Sequence, residues 1–282
     1  LNYGLVTNMD GGLGADTLTN YAGAMVTNMD GGIDSDTLVN FGIVTHMDGG
    51  ADGDFLQNVG TILTNMDGGI GEDTLVNMIG ATVTNMDGGD GADIIRNSGS
   101  ILTNMDGGLG ADSLTNFASG VVTNMDGGEG LDLFFNHGIV TNMDGGLGAD
   151  ELTNYSGAIV TNMDGGLDAD TLVNFGTVTT NMDGGLGADT LTNFSGAIVT
   201  NMDGGDGIDV LTNFAKGTVT NMDGGLDADT LVNFGTVTNM DGGADGDLLQ
   251  NSGSILTNMD GGLGADTLTT VSYTHLRAHE TR

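Results

Sequence analysis

Short apolar segments alternate along this chain with polar, glycine-rich segments, and the pattern returns every 18 to 20 residues. One copy, residues 160–178, reads VTNMDGGLDADTLVNFGTV. Valine, threonine and leucine on both sides of a Gly- and Asp-rich segment are typical of strands joined by turns. Because V-T-N-M before that segment parallels L-V-N-F after it, we expect two short strands per repeat.

A period of this length predicts a solenoid, in which each repeat forms one coil and buries its apolar side chains against the neighbouring coils. The fold expected is all-β, a right-handed parallel β-solenoid (β-roll) of about 14 coils of 18–20 residues, with two short strands per coil. In the copy at 160–178 we expect Met163, Leu172, Phe175 and Val178 to point inward.

The repeats extend over residues 1–270, which we interpret as a single array and as an uncapped fragment of a longer solenoid, since residue 1 already lies inside a repeat. Residues 271–282 do not continue the pattern. They resemble the translation of a sequencing-library adapter, and we expect an artefactual, disordered tail.

Asparagine recurs at fixed places, two residues after the inward apolar residue of the second strand and directly before the methionine, each in 13 of 14 copies. Asparagine side chains stacked from coil to coil can bond to one another and to the backbone of the turns. The length differences between repeats lie between the first of these asparagines and the next Thr-Asn pair, whereas the acidic segment never changes length. We therefore expect a geometric constraint on the acidic segment.

The net charge of −35 comes from 39 Asp and Glu against four Lys and Arg, and only Arg96 and Lys216 lie within the repeats. Such acidity disfavours nucleic acid and anionic membrane surfaces as partners. No apolar run reaches the length of a membrane span, so no membrane insertion is expected. Because the chain supplies so few cations of its own, cations from solution must balance the acids.

Every copy carries two aspartates six residues apart, in the pattern [NH]-M-D-G-G-x-[GD]-x-D. In a parallel stack about 4.8 Å apart, equivalent carboxylates would repel by about 1 kcal/mol in water and about 3.5 kcal/mol at an effective dielectric of 20. Calcium takes about six to eight oxygen ligands in flexible geometry and suits a carboxylate- and carbonyl-rich loop better than magnesium does. The pattern therefore predicts multiple Ca2+ ions.

The segment G-G-x-G-x-D-x-φ, in which φ is apolar, resembles the nonapeptide of RTX proteins. Nine copies match it in full and five carry Asp instead of the third Gly, at Asp34, Asp52, Asp168, Asp227 and Asp245. Aspartate tolerates the left-handed backbone that this position would need. Unlike RTX rolls, each repeat has the motif on one side only, which is similar to the asymmetric solenoids of bacterial adhesin and autotransporter stalks.

The resemblance implies calcium between successive loops, about one ion per gap, with the second aspartate of each copy as ligand. These are Asp16, Asp36, Asp54, Asp73, Asp93, Asp112, Asp132, Asp150, Asp170, Asp189, Asp209, Asp229, Asp247 and Asp266. The first aspartates are weaker candidates, since each could instead cap its turn. They are Asp10, Asp30, Asp48, Asp67, Asp87, Asp106, Asp126, Asp144, Asp164, Asp183, Asp203, Asp223, Asp241 and Asp260.

The function expected is a calcium-binding spacer or stalk in a large secreted or surface-attached bacterial protein, located outside the cell. Besides calcium, its partners would be neighbouring coils of the full-length protein and a surface or glycan ligand held by further domains. An enzyme is not expected, because the repeats contain two His, one Lys, one Arg and no Cys, and 14 equivalent acid pairs suit a structural role.

Two alternatives remain. One is a ligand- or ice-binding face on the Thr-Leu-Thr rows such as 17–19 and 190–192, which Phe55, Ile94, Leu133 and Val210 interrupt in the first row and Gln57, Arg96 and Phe135 in the second. The other is a metal-free autotransporter passenger.

Overall fold

In the computed structural model, which describes residues 1–271, the chain is a parallel β-solenoid of 14 coils with two strands in each. The expected tail lies outside these residues except for Val271. Each coil contributes one strand to each of two 14-stranded parallel sheets, and equivalent residues of successive coils pair in register. The fold class expected from the period is confirmed.

The long-strand sheet contains the strands that enter the acidic segment, six to ten residues each. They are β1 Leu5–Leu13, β3 Met25–Ile33, β5 Ile43–Ala51, β7 Thr61–Ile70, β9 Thr82–Asp90, β11 Ser100–Leu109, β13 Val121–Glu129, β15 Ile139–Asp144, β17 Ile159–Asp164, β19 Thr177–Asp183, β21 Ile198–Asp203, β23 Thr218–Asp223, β25 Thr236–Asp241 and β27 Ser254–Asp260.

The short-strand sheet contains the four-residue strands that follow the acidic segment. They are β2 Thr17–Asn20, β4 Thr37–Asn40, β6 Phe55–Asn58, β8 Thr74–Asn77, β10 Ile94–Asn97, β12 Ser113–Asn116, β14 Leu133–Asn136, β16 Glu151–Asn154, β18 Thr171–Asn174, β20 Thr190–Asn193, β22 Val210–Asn213, β24 Thr230–Asn233, β26 Leu248–Asn251 and β28 Thr267–Thr270.

The core is a narrow column between the sheets, built from three stacked rows. In the copy at 160–178, Met163 and Val178 of the long-strand sheet and Leu172 of the short-strand sheet are fully buried, as expected. Each row continues through its equivalents in the neighbouring coils. Every coil therefore buries apolar surface only against the coils beside it, as in other solenoids.

Phe175 does not point inward, and that expectation is wrong. Its ring is 37% exposed and stacks at the surface, with its centroid 4.3 Å from that of Phe194. The reason is the alternation of side chains along a strand, since Asn174 takes the interior position and turns the next residue outward. In the long-strand sheet the alternation is opposite, because Met163 lies inside and Asn162 outside. The two Asn-containing halves of the repeat are therefore not equivalent.

The interior asparagines form the continuous ladder that the sequence predicted. Asn136 donates from Nδ2 to Oδ1 of Asn154 at 3.0 Å and accepts from Nδ2 of Asn116 at 2.9 Å. Its Oδ1 also accepts from the backbone N–H of Gly138 at 3.0 Å. The buried amides are thus bonded to the coils on either side and most of them also to their own turn, which satisfies polar atoms inside the stack.

The insertions are absorbed away from the acidic segment. Where a repeat has one residue more before the Asn-Met pair, the register shifts locally, as between Ile101 and Asn104 of β11. Pairing resumes at the asparagine and continues through Met105 and Asp106 in register. In the described part of the chain, residues 1–271, no helix has the length and apolarity that crossing a membrane requires.

Candidate metal centre

The acidic segment begins inside a strand and not in a turn, contrary to the strand-turn-strand interpretation of the sequence. The first aspartate of each copy is a strand residue, and in the first seven coils the strand continues through both glycines. In β3 the burial pattern places Asp30 outward between the inward Met29 and Gly31. The chain then turns within a few residues, and the second aspartate, Asp36, precedes the next strand.

The second aspartates form a buried column inside the stack. From Asp36 to Asp247 their exposed fractions lie between 0% and 4%. One carboxylate oxygen of each accepts a hydrogen bond from the backbone N–H of the equivalent aspartate in the preceding coil, as Oδ1 of Asp132 does from Asp112 at 2.7 Å. Asp16 and Asp266, in the first and last coils, are partly exposed.

The other carboxylate oxygen has no hydrogen-bond partner. Twelve buried aspartates share this feature, namely Asp36, Asp54, Asp73, Asp93, Asp112, Asp132, Asp150, Asp170, Asp189, Asp209, Asp229 and Asp247. A buried polar atom without a partner costs about 1 to 3 kcal/mol, and more when it carries charge. A column of such atoms requires a proton or a cation to compensate it.

A backbone carbonyl lies beside each of these oxygens. A Cβ added to Gly127, the first glycine of its copy, would lie 2.5 Å from Oδ2 of Asp132 and would also contact the carbonyl oxygen of Gly145 in the next coil. The same arrangement recurs at Gly88, where the neighbours are Oδ2 of Asp93 and the carbonyl of Gly107. Glycine therefore leaves a cradle between adjacent coils that a carboxylate oxygen and a carbonyl oxygen share.

These two oxygens are hard donors of the kind that Ca2+ prefers, and they come from adjacent coils. The cradle therefore fits a cation held between loops, with the second aspartates and the first-glycine carbonyls as its protein ligands. Within residues 1–271, no three acidic or histidine side chains converge on a common point. The remaining ligands would thus be further backbone carbonyls and water, as is common for calcium.

Burial raises the pKa of the second aspartates from Asp54 to Asp247. The pKa of Asp54, Asp132 and Asp170 rises to about 7, with desolvation as the main cause. The hydrogen bond to the neighbouring backbone N–H lowers each value, and the like charges of the adjacent coils raise it. Without a cation, these carboxyl groups thus bind protons at a higher pH than ordinary aspartates do.

The first aspartates lie on the opposite face of the strand, so the structure does not bring them together with the second ones. Oδ1 of Asp126 accepts from the backbone N–H of Gly128 at 3.1 Å, which is the capping role considered for this residue. Asp126 borders an outer groove with Met125 and the outer asparagine row, where Nδ2 of Asn142 donates to Oδ1 of Asn124 at 2.8 Å. Burial raises the pKa of Asp106 and Asp164 in this row to about 6.

The aspartates that replace the third glycine have the left-handed backbone expected for them. Asp34, Asp52, Asp168, Asp227 and Asp245 have φ angles between 73° and 79°. Glycine at this position reaches φ angles of up to 154°, as in Gly91 and Gly130. The position thus has a positive φ in every copy, and the Asp-containing copies keep the length of the loop and its buried carboxylate.

The expectations drawn from the sequence did not assign the side of the strand on which each aspartate lies. The sequence signal that assigns this side is the position of each residue relative to the inward methionine. Because side chains alternate along a strand, the residue directly after an inward Met faces outward and the next one inward. For Met163, this rule places Asp164 on the outer face of the strand. It places Gly165 on the inner face, where a neighbouring side chain is Asp170.

No protein-family model matches this chain, and no curated protein matches it in sequence. Among solved structures, it is similar to one described as the X-ray crystal structure of a hyperactive, Ca2+-dependent, beta-helical antifreeze protein from an Antarctic bacterium. The TM-score is 0.60 at 20% sequence identity, and the match covers 92% of this chain and 85% of the other. At that identity the similarity establishes the β-solenoid fold.

Proposed function

We propose that this chain is a calcium-binding structural array, in which Ca2+ ions between successive coils hold RTX-type acidic segments in register. The observation that carries the proposal is the column of 12 buried carboxylate oxygens without a partner, each beside a glycine carbonyl of the next coil. The calcium dependence stated for the structurally similar antifreeze protein supports it.

Electrostatics gives the ions their structural role. A stack of 14 coils has 13 gaps, and about one ion in each would bring about 26 positive charges to a chain of net charge −35. Because the ions bind between coils, only the folded stack offers the complete site. Binding free energy is then folding free energy.

The test is a calcium titration of the chain after exhaustive chelation, followed by far-UV circular dichroism and isothermal calorimetry. We expect a weakened β-sheet signal and a lower melting temperature in EDTA, recovery of both with Ca2+, and a stoichiometry near one ion per gap. A metal-free passenger would instead keep its full β-sheet spectrum and melting temperature in EDTA. Magnesium at the same concentration should restore less signal, since its octahedral geometry fits the site less well.

As a mechanical element, the array would serve as a rigid spacer in a secreted or surface-attached protein, without catalytic activity. At about 4.8 Å per coil, 14 coils extend about 65 Å. A length measurement by small-angle X-ray scattering, with and without calcium, tests this role. The spacer requires an extended rod in calcium and a less rigid chain in EDTA.

Ice binding is the second candidate, and a specific row of side chains favours it. In the long-strand sheet a threonine precedes the Asn-Met or His-Met pair in all 14 coils, and the asparagine follows it in 13. The threonines are Thr7, Thr27, Thr45, Thr64, Thr84, Thr103, Thr123, Thr141, Thr161, Thr180, Thr200, Thr220, Thr238 and Thr257. These rows are more regular than the Thr-Leu-Thr rows considered above. The antifreeze description of the similar structure supports this candidate.

A thermal-hysteresis assay in calcium separates this candidate from a plain spacer. If the threonine row binds ice, Thr161→Lys in the middle of the row should abolish the activity. Thr171→Lys, on the outer face of the short-strand sheet, is the matched control and should preserve it. Absence of hysteresis in the unmodified, folded protein would exclude ice binding.

A further inference from the structure

The outer face of the short-strand sheet is nearly free of charge, which sets it apart in a chain of net charge −35. The first and third residues of each strand point outward, as the burial patterns of β14 and β24 show. Of these 28 outward positions in 14 strands, only Arg96 and Glu151 carry charge, and their charges cancel. Both side chains are exposed, and within residues 1–271 neither forms an ion pair.

The same face also exposes large apolar side chains to solvent. Phe55 and Ile94 are each 37% exposed, and Leu133 and Val210 are 41% exposed. Between them lie small residues, chiefly threonine and valine. An uncharged surface with alternating large and small side chains is suited to interdigitation with another sheet.

We propose that this face binds a second copy of the chain, in an antiparallel, face-to-face dimer whose register is set by two Arg96–Glu151 ion pairs. A two-fold axis parallel to the strands makes the same patch meet itself, so that any contact from residue i to j also occurs from j to i. Arg96 lies on β10 and Glu151 on β16. Placing β10 opposite β16 sets Arg96, the third residue of its strand, two positions along the strand from Glu151, the first residue of its strand. The long Arg96 side chain reaches Glu151 diagonally across this offset, and the two-fold axis repeats the pair.

The register that the charges select also fits the shapes. It places β12 opposite β14, so that Ser113 and Thr115 face Leu133 and Phe135. It also places β6 opposite β20, so that the ring of Phe55 lies over threonine. At both places a large side chain meets a small one.

The area is sufficient for a stable dimer. Twelve strands overlap in this register, from β2 to β24. At about 4.8 Å between strands and about 3.3 Å per residue, each copy contributes about 700 Å2, hence about 1,400 Å2 in total. Specific interfaces bury about 1,200 to 2,000 Å2. The acidic rows would still repel each other, so calcium-loaded protein is the form to test.

The experiment is sedimentation velocity of the full chain in excess calcium, from low micromolar to 200 micromolar, after circular dichroism has verified folding. We expect twice the 28.5 kDa chain mass. Arg96→Glu and Glu151→Arg should each raise the dimer dissociation constant at least about tenfold, since each places two like-charge pairs in the interface. Mixing the two variants in equal amounts should restore dimers, because both pairs in the mixed dimer are then opposite in sign.

A second measurement does not depend on charge. Thr74 on β8 and Thr171 on β18 lie five coils apart in one chain but face each other across the proposed interface, and the chain has no cysteine. Packed sheets lie about 10 Å apart, whereas a direct disulfide needs Cα atoms within about 7 Å. The double variant Thr74→Cys with Thr171→Cys should therefore form covalent dimers with a short bismaleimide cross-linker, whereas Thr74→Cys alone should not.

A folded chain that stays monomeric at 200 micromolar overturns the proposal. So does a mixture of the two charge variants that fails to dimerise, or the absence of cross-linking in the double cysteine variant. These results are distinguishable from a failure of the calcium proposal, which would appear as a β-sheet spectrum unaffected by EDTA.

Discussion

Replacing Asp132 by asparagine should change stability in opposite directions with and without calcium. Asp132 is fully buried, its Oδ1 accepts from the backbone N–H of Asp112, and its Oδ2 has no partner. Asparagine preserves the shape and the Oδ1 acceptor. It replaces Oδ2 by an amide donor beside the carbonyl oxygen of Gly145. Without calcium, the substitution thus removes a buried charge and allows an additional hydrogen bond.

The expected magnitudes follow from this geometry. At pH 8, above the raised pKa of about 7 for Asp132, the calcium-free chain should gain about 1 to 3 kcal/mol, the cost of a buried polar atom without a partner. In calcium, the amide is an uncharged and weaker ligand. Each tenfold loss of affinity at that gap lowers the free energy of unfolding by about 1.4 kcal/mol when calcium is in excess.

Local stability is the appropriate readout, because coils interact chiefly with their neighbours and unfolding of a long array need not be two-state. Hydrogen exchange of peptides from residues 121–154, measured in EDTA and in calcium, reports the affected coils directly. The matched control is Asp126→Asn, in the same coil but on the outer face of its strand. We expect no reversal of sign for the control.

The reasoning is refuted if Asp132→Asn lowers protection equally in EDTA and in calcium, or if Asp126→Asn shows the reversal instead. The first result would mean that the buried carboxylate is stabilising without a metal. The second would move the ion from the interior of the coil to the outer groove.

Three further predictions concern the same column. In EDTA, the free energy of unfolding should fall as pH rises from about 4 to 8. The reason is that carboxyl pKa values raised to about 6 to 7 let the folded chain keep protons that the unfolded chain has released. Urea unfolding at a series of pH values measures this, and a constant free energy would mean that the column carries no raised pKa. Gly127→Ala should destabilise the calcium-loaded fold by more than about 2 kcal/mol in thermal unfolding, since its Cβ would contact Asp132 and the next coil. Gly157→Ala has open space around the Cβ but a φ of 86°, and it should cost about 1 kcal/mol. Equal effects would contradict a close approach of the carboxylate and the carbonyl at Gly127. Asn136→Ala should lower the free energy of unfolding by about 2 to 4 kcal/mol, because it removes several buried hydrogen bonds. Asn142→Ala, in the half-buried outer row, should lower it by about 1 kcal/mol or less. Urea denaturation measures both values, and a reversed order would contradict the assignment of the inner ladder.

Much of this fold could be predicted because the same pattern of apolar, polar and glycine residues occurs in 14 copies. The period predicted the coil, and the apolar residues predicted three of the four core positions. The asparagine at the end of the second strand, present in 13 of 14 copies, predicted the inner ladder. Phe175 was misplaced because hydrophobicity alone does not determine the side of a strand. Aromatic rings stacked at a surface corner gain from contact with each other, as Phe194 and Phe214 do at 5.0 Å, so burial is not their only stable arrangement.

The two aspartates of each copy were indistinguishable as carboxylates, and alternation along the strand is what separates them. The outer row, which includes Asp126, borders a groove open to solvent, so its repulsion can be screened by salt. The inner row, which includes Asp132, is closed off from solvent, and screening is weak there. Only a proton or a cation bound within the coil can balance the inner row. The unchanging length of the acidic segment has the same origin, because an added residue would displace the glycine carbonyl from the carboxylate that it faces.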